Sequence, residues 1–126
     1  MAAAASRARA RTVVLVLVGL VFFGAALGPV VQSLLHPPRC TAGAMLNSVL
    51  ATLGVFLVLA ARNPSAHRSL IIFGAWSSLA HAAVMALMAI PVTAQRTDLL
   101  AGAALTGLAG VLLTVFAVER ASPTPV

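Results

Sequence analysis

The run SLIIFGAWSSLAHAAVMALMAIPVTAQ, residues 69–95, carries no Asp, Glu, Lys or Arg over 27 positions. A helix rises about 1.5 Å per residue, so its apolar part, Ser69 to Ile90, is long enough to cross a hydrocarbon core of about 30 Å. Three further runs share this character: Thr12 to Pro38, Cys40 to Ala61 and Leu99 to Val118. In lipid the unpaired backbone groups of an open strand are intolerable, and none of the runs alternates apolar and polar residues as a barrel strand does. The expected fold is all-α: a polytopic membrane protein whose four transmembrane helices form a bundle.

Composition points the same way. Of 126 residues 61% are apolar and 8% charged, whereas a soluble domain carries roughly a quarter charged residues. The eight basic residues are all arginine and give a net charge of +6. They stand singly between uncharged runs rather than on one face, a pattern that marks topology and not nucleic-acid binding. The expected partner is the lipid bilayer, with a homo-oligomer or another membrane protein as further partner and no nucleic acid.

Punctuation sets the boundaries. A basic N-terminus, residues 1–11, precedes helices expected at about 12–35, 44–61, 64–90 and 98–118, and a disordered tail with two prolines covers 119–126. The first run exceeds the apolar core of a signal peptide and is expected to remain as an anchor. Gly28-Pro29 should kink or stop the first helix, because proline lacks the N–H and clashes with the preceding turn. His36-Pro37-Pro38-Arg39 makes the first loop. Asn63 is the expected N-cap of the third helix, with Pro64 at its first position. Pro91 closes that helix, and Thr97 or Asp98 caps the fourth. Arg7, Arg9, Arg11, Arg62, Arg68 and Arg120 fall on one side and only Arg39 and Arg96 on the other. The positive-inside rule then puts both termini in the cytoplasm of a bacterial inner membrane.

Helices associate in lipid through small residues and polar contacts. Gly24 and Gly28 stand at GxxxG spacing on the first helix. On the fourth, Gly102, Thr106 and Gly110 form one row, with Ala103 and Gly107 in the next. These rows either pack inside the bundle or, on the fourth helix, form the seam of a homodimer.

His81 stands near the middle of its span. At 100° per residue, Leu70, Gly74, Ser77, Ser78, Met85 and Met88 lie within about 60° of it, while Ile72, Trp76, Leu79, Ala83 and Ile90 lie opposite. The His81 side is expected to face the bundle interior and the Trp76 side lipid or a partner. A histidine at that depth needs hydrogen-bond partners; Ser77 and Ser78 one turn earlier, and Thr52 and Asn47 on helix two, are the candidates. Three readings stay open: helix glue, a carrier or channel for a small solute or proton with His81 in its pathway, and a haem- or quinone-associated subunit. The cytoplasmic loop offers a second candidate, Arg62, Asn63, His67 and Arg68, as topological anchors or as a docking or anionic-lipid site.

No enzyme is expected. The chain has no paired carboxylates and no nucleophile–base–orienter set. Proton-coupled export in small four-helix carriers uses an embedded carboxylate, and here the two acids, Asp98 and Glu119, stand near span ends. No metal or cofactor is expected: Cys40 has no second cysteine, and His36 and His67 fall towards opposite membrane faces, away from the depth of His81.

Residues 51–57, ATLGVFL, with Ala60-Ala61-Arg62-Asn63-Pro64, His67-Arg68-Ser69-Leu70-Ile71 and Ala75-Trp76-Ser77-Ser78-Leu79-Ala80-His81-Ala82, resemble the core of a family of small bacterial four-helix membrane proteins of unknown function. The resemblance covers about 40 residues, from helix two into helix three, and its most specific part is the A-W-S-S-x-x-H run. It implies a fold and a membrane location and carries no activity with it.

Overall fold

Each uncharged run becomes a helix. The computed structural model describes residues 2–36 and 41–117. Helix α1 runs Ala2–Leu35, α2 Thr41–Ala60, α3 Arg68–Met88 and α4 Arg96–Leu112. A 3-10 turn, Thr93–Gln95, leads into α4, which widens into a π-turn over Leu113–Ala117. No strand occurs among the described residues. Segments long and apolar enough to span a membrane are Ala5–Leu35, Gly43–Ala60, Arg68–Met88 and Thr93–Phe116. The chain is thus a four-span, multi-pass membrane protein. The expected tail, Arg39, Cys40 and most of the first loop lie outside the described residues.

Several boundaries differ from expectation, each for a local reason. Helix α1 begins at Ala2 and not near residue 12, because AAAASRARAR consists almost wholly of alanine and arginine, both strong helix formers. Pro29 sits inside α1 without stopping it; in lipid the remaining backbone groups have only each other to bond, so one lost donor costs less than an open helix end. Asn63 does not cap α3. Its N–H donates to Ala60 O at 3.2 Å and that of Arg62 to Leu59 O at 3.2 Å, so both backbones belong to the turn that ends α2. His67 takes the N-cap position, with no side-chain capping bond. At α4 the 3-10 turn runs straight into the helix, so the start moves to Arg96, and Asp98 lies in the first turn instead of capping. There its carboxylate faces the positive end of the helix dipole.

The chain divides into two units, residues 1–64 and 65–126, each an antiparallel helical hairpin. In the first, Leu15, Val18, Phe22 and Ala26 of α1 pack against Leu53, Leu57 and Ala60 of α2, all buried. The helices cross at two glycines. A methyl group placed on Gly19 would lie 2.6 Å from Gly54 O and 3.1 Å from Val58 N; one on Gly54 would meet Gly19 O and, at 2.8 Å, Phe23 N. Only glycine allows backbones so close.

The second hairpin buries Ile71, Ala75 and Ser78 of α3 and Thr106 and Ala109 of α4, with Leu113 just beyond. Here the small residues receive side chains. Gly102 lies under the Met85 methyl, Gly107 beside Ala82, and Gly110 beneath Leu79, whose Cγ would be 2.7 Å from an added methyl. Arg96 ties down the turn that joins α3 to α4: its Nε donates to Ala89 O at 3.0 Å and its Nη2 to Ile90 O at 3.2 Å. These carbonyls follow the last turn of α3, where intrahelical donors have run out.

Candidate functional site

Helix α3 carries the residue singled out for chemistry, and its packing decides where that residue points. The buried residues Ile71, Gly74, Ala75 and Ser78 centre about 70° round the helix from His81, at 100° per residue. His81 therefore sits at the margin of the interface, half-buried. Gly74 and Ser78 on its side are buried, and Met85 covers Gly102. Met88, expected inside, is 49% exposed, and Leu79, expected outside, packs on Gly110. Trp76 does face outward, at 68% exposure. The rotation follows from size. In a helix apolar all round, the side that packs is the one whose partner offers glycines, and Gly102, Gly107 and Gly110 draw in Met85, Ala82 and Leu79.

The polar side chains near His81 are engaged elsewhere. Ser77 donates to Gly74 O at 3.2 Å, and the buried Ser78 hydroxyl donates to the same oxygen at 2.6 Å. Both serines thus bond back into their own helix, as such residues commonly do in apolar surroundings. Asn47 and Thr52 belong to the first hairpin and do the same: Asn47 Nδ2 donates to Gly43 O and the Thr52 hydroxyl to Ser48 O, each at 2.9 Å. Among the described residues none hydrogen-bonds to either ring nitrogen of His81. No three His, Cys, Asp or Glu side chains gather to hold a metal ion among the described residues.

The loop candidate is exposed throughout. Arg62 and Asn63 end the first hairpin, and His67 and Arg68 open the second. His67 donates nothing into the helix it precedes, but its carbonyl accepts the N–H of Ile71 at 3.1 Å and so starts α3.

Sequence reasoning missed two features. The crossing in the first hairpin uses Gly19 and Gly54, while Gly24 and Gly28, the GxxxG pair, have nothing within 4 Å of an added methyl. The signal was present: each crossing glycine is the one small residue in a bulky run, VLVLVGLVFF and LGVFLVL. The other is Arg96, counted only as a charge. A basic residue shortly after a helix end is placed to bond its last carbonyls. The Gly102–Thr106–Gly110 row, for which packing inside the bundle and a homodimer seam were both open, is occupied by α3 of the same chain.

The model of a family of unknown function (DUF6632) matches residues 8–123. No curated protein and no solved structure matches the chain.

Proposed function

The chain belongs to this family of unknown function, and from that premise we propose that it is a small structural or interaction protein of the bacterial inner membrane. It works through contacts between its outward helix faces and other embedded helices, with both termini in the cytoplasm. One observation carries the reading. Asn47, Ser48, Thr52, Ser77, Ser78, Thr106 and Thr114 all donate into their own helices, which leaves bulky apolar faces such as Phe73, Trp76, Leu87 and Ile90 turned outward. Such faces suit packing and offer no chemistry. A photo-crosslinker in the membrane-embedded chain tests this. Protein adducts are expected from position 76 and none from the buried position 71; lipid adducts alone at positions 73, 76 and 87 would overturn it.

A second reading is favoured by the absence of a bond from Ser77 or Ser78 to His81. A half-buried ring at mid-span with no bond in its own hairpin keeps both nitrogens for a passing proton or small solute. In proteoliposomes His81→Ala should then abolish any pH-dependent flux, and flux that persists would remove His81 from the path.

A further inference from the structure

The first hairpin gathers charge of one sign at one end. Residues 1–64 contain no Asp or Glu, and four of their five arginines, Arg7, Arg9, Arg11 and Arg62, fall at the end away from the first loop. Because α1 starts at Ala2, Arg7, Arg9 and Arg11 stand on a formed helix with fixed spacing and not on a loose leader. Arg11 and Arg62 each lie eight residues from the Gly19–Gly54 crossing, in the same direction along the antiparallel pair. The turn after α2 therefore comes level with the arginine turns of α1. Arg7, Arg9 and Arg62 are exposed, and Arg11 is half-buried.

Length fixes the depth of this cluster. Helix α1 has 34 residues, about 51 Å at about 1.5 Å each, against a hydrocarbon core of about 30 Å. The uncharged part from Thr12 onward fills the core. The part before it, Ala2 to Arg11, about 15 Å at about 1.5 Å per residue, carries the arginines into the headgroup layer, where guanidinium groups meet phosphate in a bidentate fashion.

We propose that this end of the first hairpin is a binding site for anionic lipid headgroups, formed by Arg7 and Arg9 on α1 and Arg62 in the turn after α2, with Arg11 at its inner edge. It selects phosphatidylglycerol-type lipids from their neutral neighbours. The site acts whichever way the protein is inserted and does not depend on its having a protein partner.

Spin-labelled lipids test it in the full chain reconstituted in vesicles of phosphatidylcholine with phosphatidylglycerol. At low salt, labelled phosphatidylglycerol is expected to associate with the protein at least about threefold more than labelled phosphatidylcholine, in keeping with the attraction of basic residues to anionic lipid. That preference should fall towards unity at about 0.5 M salt, where screening is strong. Replacing the three exposed arginines together, Arg7→Gln, Arg9→Gln and Arg62→Gln, should remove it. Replacing them with lysine should retain most of it. A wild-type ratio near unity at low salt overturns the proposal, as does an undiminished ratio in the glutamine protein, or equal loss in both sets. Should the glutamine protein lose its helical circular dichroism, the salt response of the wild type still decides.

Discussion

At the scale of single residues, what opposes a glycine matters more than the motif it belongs to. Gly54 faces backbone atoms of α1 that cannot move aside, whereas Gly24 faces open space. Gly54→Leu should therefore lower the unfolding free energy in detergent by at least about 1–3 kcal/mol, the usual cost of overpacking. Gly24→Leu should stay within about 0.5 kcal/mol, as for a substitution that meets nothing. Denaturant titration followed by circular dichroism compares the two. His81→Ala is expected to fall in the same narrow range, within about 0.5 kcal/mol, since no hydrogen bond in its own hairpin is lost. A large loss there would show that the ring holds a partner.

At the scale of elements, the end of α3 depends on a side chain from the next helix. The Arg96 guanidinium supplies two donors to the Ala89 and Ile90 carbonyls, which the chain beyond the helix no longer serves: the N–H of Thr93, four residues after Ala89, donates to Pro91 O instead. Arg96→Gln should destabilise the chain by about 1.5–3 kcal/mol, the range for hydrogen bonds to a charged group, and Arg96→Lys by less. Amide exchange should then rise in the last turn of α3 while α1 and α2 are unaffected. Element existence was legible in the sequence because an uncharged run of sufficient length has few alternatives in lipid. The faces were not. Where lipid and neighbouring helix are equally apolar, hydrophobic periodicity carries little signal. Side-chain size decides, as the rotation of α3 towards Gly102 and Gly110 shows. Asn63 was misread for another reason: a capping residue close to the preceding helix can end that helix instead of starting the next.

At the scale of the whole molecule, the proposed orientation rests on the distribution of arginine. A reporter active only in the periplasm, fused to the C-terminus, should be silent, and strong activity would reverse the assignment. His81 was legible as the titratable side chain at mid-span, but its lack of a partner within the hairpin was not, because serines that bond their own backbone look the same in sequence as serines that do not. The two hairpins also differ in how their histories can run. In the second, Gly102 is opposed by the flexible tip of Met85, so a larger residue there can be accommodated by a change at position 85, and the pair is free to drift. In the first, carbonyl oxygens stand against the α-carbons of Gly19 and Gly54, and no side-chain replacement removes a carbonyl. A suppressor screen on a Gly54→Ala background should find reversion far more often than compensation, leaving the first hairpin the part of the chain with the fewest paths open to sequence change.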